Sequence, residues 1–80
     1  MARVRLFAAA REAAGVGSDV IEADTVQQVL QIAVVRYGAG FADVLGTCKV
    51  WLNGDETDPD AAVAATDEVA VLPPVSGGWG

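Results

Sequence analysis

The stretch from Thr25 to Gly38 constrains the fold more than any other part of the chain. Thr25-Val26-Gln27-Gln28 has the form of a capping box, with threonine at the N-cap and glutamine at the third helical position. Val26, Val29, Leu30, Ala33, Val34 and Tyr37 follow at the spacing of one helical face. Gly38 supplies the stop. Ile32 and Val35 fall off that stripe, so a neighbouring segment around Phe41–Leu45 covers them or solvent does. A helix with one apolar face needs a second layer to bury it.

The flanking sequence offers strands for that layer. Arg3 to Ala9 alternates, with Val4, Leu6 and Ala8 on one side and Arg3, Arg5 and Phe7 on the other. The alanine-rich segment to Ala14 predicts a helical turn closed by Gly15. Asp19 to Ala23 predicts a short second strand, and 40–45 another helical turn. Thr47 to Asn53 alternates again, with Cys48, Val50 and Leu52 opposed to Lys49 and Trp51, and it ends at the tight-turn pair Asn53-Gly54. A brief return strand near Asp55–Thr57 and a last strand over Glu68–Leu72 complete the order β-β-α-β-(β)-β. This is an α+β chain with a mixed sheet packed on one main helix. If the first and last strands are parallel neighbours it is a ubiquitin-like β-grasp, although the alternation alone suits other small α+β folds.

Composition narrows the chemistry. Eighty residues make one domain, 1–80, and 52% apolar content is enough for one core. A net charge of −6 argues against nucleic acid. It fits a soluble cytoplasmic protein, or one that docks on a basic partner. No apolar run approaches a membrane span, and the amino end leads straight into a strand pattern with no signal-peptide signature. The chain has no histidine, so it lacks the commonest general base and metal ligand, and its one cysteine, Cys48, allows neither a disulfide nor a thiolate zinc site. Neither a metal nor a bound cofactor is expected. A carrier or binding module is favoured over a self-contained enzyme.

The carboxyl end carries the functional signal. Pro73-Pro74 ends the last strand and stiffens the chain, and Val75-Ser76-Gly77-Gly78 is slim. A stiff stem with a thin glycyl tip is suited to entering another protein's active site, and residues 73–80 are expected to form a flexible tail.

Three pieces of sequence resemble the MoaD/ThiS sulfur-carrier family, in its molybdopterin synthase small-subunit branch. They are Val4-Arg5-Leu6-Phe7-Ala8-Ala9-Ala10-Arg11-Glu12-Ala13-Ala14-Gly15, Val50-Trp51-Leu52-Asn53-Gly54, and Asp67 through Pro73-Pro74-Val75-Ser76-Gly77-Gly78. The resemblance runs over nearly the whole chain, and the strand, double proline and diglycine together are its most specific part. It implies a β-grasp fold and a carrier that is not catalytic alone. In such carriers a ubiquitin-activating-like adenylyltransferase uses ATP and Mg to adenylate the terminal glycine, and a sulfur donor protein then converts it to a thiocarboxylate. The tail enters the large subunit of molybdopterin synthase, in a heterotetramer, and sulfur passes to a pyranopterin precursor of molybdenum cofactor. The resemblance places the sulfur on Gly78, with Pro74, Val75, Ser76 and Gly77 as the inserted segment. Other outcomes are a carrier for thiamine or cysteine synthesis, or a ubiquitin-like binding module that is never activated.

This chain departs from the pattern by continuing to Trp79-Gly80, which leaves Gly78 in a peptide bond. Three readings compete. A peptidase removes the two residues; Gly80 is itself activated, against the bulk of Trp79; or the extension marks an inactive form or an assembly feature.

A partner-docking face is expected on the side of the sheet away from the helix, where Arg5, Phe7, Lys49, Trp51 and Leu72 would gather with Arg3 and Ala70. Arginine and aromatic residues are favoured interface anchors. Plainer readings fit the rest. Cys48 is expected to pack. Arg11 and Glu12 are expected to form a local surface ion pair. The acidic run Asp55, Glu56, Asp58, Asp60 lacks the spacing and distal glutamate of a Ca²⁺ loop.

Overall fold

The helical stripe, the cap and the glycine stop give a helix α2 over Val26–Tyr37. The Thr25 side chain accepts from the Gln28 amide at 3.2 Å. Gln28 Oε1 reaches back to accept from the Asp24 amide at 2.8 Å, one residue before the expected partner. Gly38 ends the helix at φ 98, where its amide donates to Val34, and the next helix, α3 (Ala39–Leu45), starts at once. The computed structural model describes residues 2–73.

The remaining elements are β1 (Ala2–Leu6), α1 (Ala8–Ala14), β2 (Ser18–Ile21), β3 (Lys49–Leu52), β4 (Asp55–Glu56) and β5 (Glu68–Leu72). They form a five-stranded sheet in the order β2-β1-β5-β3-β4. β1 and β5 are parallel neighbours, Arg3 opposite Glu68 through Leu6 opposite Val71. The other pairings are antiparallel. That central parallel pair meets the condition that separates a β-grasp from other small α+β folds, and the architecture is the ubiquitin-like β-grasp.

Several boundaries differ from expectation: the second strand runs over Ser18–Ile21 rather than Asp19–Ala23, and the third strand and the return strand each end one residue early, at Leu52 and Glu56. The first strand stops at Leu6 rather than Ala9, because the alanines that follow prefer helix. Phe7 keeps its place in the sheet by donating its amide to Val71 O, and Ala8 turns the chain through φ 51, a left-handed conformation costing about 1 kcal/mol for a residue with a Cβ. The third strand begins at Lys49 rather than Thr47. The amides of Thr47 and Cys48 are bonded to Val44 and Leu45 at the end of α3 and are not free for a ladder. The Asn53-Gly54 turn is as expected, with positive φ at both residues (52 and 87).

One face of the sheet and the helices enclose the core. Val4, Leu6, Ile21, Val69 and Val71 from the strands meet Val26, Val29 and Ala33 from α2. Phe41 of α3 is fully buried, and Tyr37 packs edge-on against it at 5.1 Å. Ile32 is partly covered by the core, whereas Val35 stands 86% exposed. Among the described residues no helix is long and apolar enough to cross a membrane.

Candidate interaction face at the end of the last strand

Alternation along β1, β5 and β3 decides which side chains face away from the helices. In β1 the odd residues are exposed and the even ones buried; in β5 Val69 and Val71 are buried, leaving Glu68, Ala70 and Leu72 on the outer face. Register then builds rows across the sheet. Arg5 lies opposite Ala70, and Ala70 opposite Trp51; Leu72 lies opposite Lys49, and Arg3 opposite Glu68. The sheet edges extend these rows, with Ser18 beside Arg5, Val20 beside Arg3, and Glu56 beside Trp51.

The five residues expected to dock a partner, Arg5, Phe7, Lys49, Trp51 and Leu72, thus share one face, together with Arg3 and Ala70. Arg5 holds its guanidinium 5.6 Å from the centre of the Phe7 ring, within cation–π range. Its Nη1 is also 3.8 Å from a Glu68 carboxylate oxygen, both side chains being well solvated, so the ion pair is weak. Phe7 is 37% exposed, while Trp51 and Leu72 are half-buried. Glu56, Glu68, Ser18 and Val20 join this face without having been placed on it from the sequence. The alternation of the last strand could have found Glu68. The Asn53-Gly54 turn, which pairs Leu52 with Asp55 and hence Trp51 with Glu56, could have found Glu56.

The face borders the point where the chain leaves the sheet. β5 is central, flanked by β1 and β3, and it ends at Leu72 beside Lys49, one residue on from the Leu6–Val71 pair that precedes Phe7. Pro73 follows, exposed. Pro74, Val75, Ser76, Gly77, Gly78 and the Trp79-Gly80 extension lie outside the described residues.

The other expectations divide. Cys48 is half-buried against the core and burial pushes its thiol up, away from the reactive thiolate, in keeping with a packing role. Arg11 and Glu12 do not pair. The ion pairs among the described residues are Arg5–Glu68 and Arg36–Asp19. A Cβ placed on Gly17 would lie 3.2 Å from Arg11 Nε, so the Arg11 side chain instead lies across that glycine. Among the described residues no group of three or more His, Cys, Asp or Glu could hold a metal ion.

Comparison with known proteins agrees with the fold. The family model described as the ThiS family matches residues 4–78. The molybdopterin synthase sulfur carrier subunit of Arabidopsis thaliana is 34% identical over 79 residues, covering 95% of this chain and 81% of that protein. Small archaeal modifier protein 1 (SAMP1) of Haloferax volcanii is similar in structure, with a TM-score of 0.77 and 33% identity over 96% of this chain and 98% of that one. A chain in the complex of subunits 1 and 2 of the molybdopterin-converting factor of Helicobacter pylori matches with a TM-score of 0.71 and 26% identity, over 96% of this chain and 97% of that one. With the family's span running from β1 past the end of β5, and the parallel pair at the centre of the sheet, the chain belongs to the ThiS family, among the MoaD/ThiS sulfur carriers.

Proposed function

We propose that this chain is the sulfur-carrying small subunit of a molybdopterin synthase, acting in the cytoplasm, with Gly78 as the residue that carries sulfur. The observation that carries the reading is where β5 ends. A central strand delivers the chain at Leu72 beside an outer face bearing Phe7, Trp51, Lys49 and Arg5. A partner seated on that face would receive whatever follows Pro73-Pro74. The likeness to a molybdopterin synthase sulfur carrier subunit and to a chain of a two-subunit complex supports a large subunit as that partner, and the proposed assembly of the two is a heterotetramer.

The chemistry follows from the carboxylate. Its charge repels nucleophiles, so it is a poor acyl donor at neutral pH. Attack of a Gly78 carboxylate oxygen on the α-phosphorus of ATP, releasing pyrophosphate, converts it to a mixed anhydride with AMP as leaving group. A persulfide on a donor protein then displaces AMP to give an acyl disulfide, and a second donor thiol attacks the donor-side sulfur, forming a donor disulfide and releasing the Gly78 thiocarboxylate. ATP, Mg and catalysis belong to the adenylyltransferase, and the carrier contributes the acyl group and the docking surface. Because Gly78 lies within a peptide bond, hydrolysis of the Gly78–Trp79 bond comes first.

Intact mass of the protein from its native cell tests the proposal. The expected species ends at Gly78, with one carboxyl oxygen replaced by sulfur. A thiocarboxylate on a chain still ending at Gly80 refutes the processing step. Failure of a chain trimmed to Gly78 to form an adenylate or thiocarboxylate with the adenylyltransferase, ATP and sulfur donor refutes the carrier role. The likeness to SAMP1 favours a second reading, in which the activated Gly78 acyl group passes to a protein amine. Conjugates bearing this chain in cell extracts would select it.

A further inference from the structure

The charges of this chain are unevenly placed. It carries eleven acidic and five basic residues. Yet Arg3, Arg5 and Arg11 line one open hollow of about 410 Å³ on the β1–β2 side of the outer face, together with Leu6, Phe7, Gly17 and Ser18. No carboxylate lines it. Arg3 and Arg5 come from alternate positions of β1. Arg11 comes from α1 and reaches the hollow because Gly17 has no side chain, so its guanidinium side lies across the β1–β2 connection. Arg3 and Arg11 have no carboxylate oxygen within 4 Å among the described residues, and Arg5 has only the 3.8 Å contact to Glu68. The acids near this group, Asp67 and Glu68, line a separate hollow on the other side of Arg3. Three like charges converging in a chain of net charge −6 repel one another, and an anion between them removes that cost.

We infer that the Arg3–Arg5–Arg11 hollow binds an Asp/Glu-rich segment of the protein that docks on the neighbouring Phe7–Trp51–Leu72 face. The inference rests on the docking-face reading above and adds the chemistry of the partner's contact. Overall charge alone suggests a basic partner, and the hollow reverses that sign locally. Guanidinium forks donate paired hydrogen bonds to carboxylates, and the Phe7 ring, with the Arg5 guanidinium 5.6 Å from its centre, borders the hollow. A nucleic acid is disfavoured, because its dense charge meets the acidic remainder of the chain. Complementary charge beside an apolar patch fixes register and speeds encounter.

The test uses the full chain labelled with ¹⁵N and titrated with a hexaglutamate peptide or with inorganic phosphate at matched ionic strength. The expected result is saturable shifts at the amides of Arg3, Arg5, Arg11, Gly17 and Ser18 with the peptide. Arg11→Glu, and separately the gentler pair Arg3→Gln with Arg11→Gln, should weaken binding by about tenfold or more, and rising salt should weaken it in the wild type. Absent or scattered shifts overturn the inference. So do equal shifts with phosphate, which would make the hollow a simple anion site, and peptide binding that survives in both variants. Titration with purified large subunit is read separately. If the hexaglutamate result holds and the large subunit does not bind, the molybdopterin synthase reading fails and the acidic-segment site stands. If the large subunit binds wild type and variants alike, with the same salt dependence, the site fails and the functional reading stands.

Discussion

Asp19 shows how much one side chain can organise. Its Oδ2 accepts from Tyr37 Oη at 2.5 Å and from Arg36 Nη1 at 2.8 Å, and its Oδ1 accepts from the Val20 amide at 2.8 Å. The Tyr37 hydroxyl first, then the Arg36 guanidinium, hold its carboxyl down at about 2, with burial opposing them. Tyr37 is pushed up to about 12, by burial first and by Asp19 second. A folded-state pKa below the ordinary value of 3.8 means that the stabilisation is complete above that value and is lost as pH falls through about 2. With 30% of the side chain still exposed, solvent screening reduces the contribution to about 1 kcal/mol. Asp67 also lies below the usual range, held by the Ala64 amide and then by Asn53, so acid weakens the fold at more than one place. The informative quantity is therefore the difference between wild type and Asp19→Asn in urea unfolding. It should be about 1 kcal/mol at pH 5 and should close toward zero near pH 2. A difference that does not change over that range would assign Asp19 a role in packing and none in charge.

At the scale of elements, the same cluster guards an edge. β2 is an outer strand, and such strands expose unpaired backbone groups to other chains. Here the Val20 amide donates to Asp19 and the Val20 carbonyl accepts from Arg36 Nη1 at 3.1 Å, so side chains occupy both groups. Arg36→Ala with Asp19→Ala should free them, and sedimentation velocity should then show self-association rising with protein concentration more steeply than in wild type. Unchanged sedimentation would mean that the edge is protected by something else. This device was not readable in the sequence, since Asp19 and Arg36 stand 17 residues apart and nothing local links them. α2 was readable because stripe, cap and stop all agree within one segment. β5 was readable from its alternation before Pro73. Phe41 reads in the sequence only as the start of a segment that covers Ile32 and Val35 or leaves them to solvent; its full burial was not readable, because a seven-residue helix with one aromatic has too few turns to show a period. The overlong first strand has a related cause: Phe7 and Ala8 continue the alternation, but the alanines after them prefer helix.

At the scale of the whole molecule, the two sides of the sheet divide the labour. The helix side holds every buried strand residue, while no helix among the described residues covers the outer side, where Phe7, Trp51 and Leu72 sit beside the exit of β5. The five residues proposed to dock a partner could be placed on one face from the sequence, because a period of two assigns faces and the β-grasp order makes their strands neighbours. Arg11 could not join them from sequence, since its place depends on its side chain reaching across Gly17 from a different element. The division predicts that Trp51 matters for assembly and little for folding. It is half-buried and lies outside the fully buried core, so its replacement empties no enclosed cavity. Trp51→Glu places a carboxylate opposite Glu56, a cross-strand repulsion costing at most about 1 kcal/mol, and Trp51→Ala avoids even that. Both variants should keep a cooperative melt. Both should bind the large subunit at least about tenfold more weakly by calorimetry, as for an aromatic anchor near the centre of an interface. Wild-type affinity in Trp51→Ala would show that the partner seats elsewhere, and the exit of β5 beside this face would then have no bearing on where the glycyl tail is delivered.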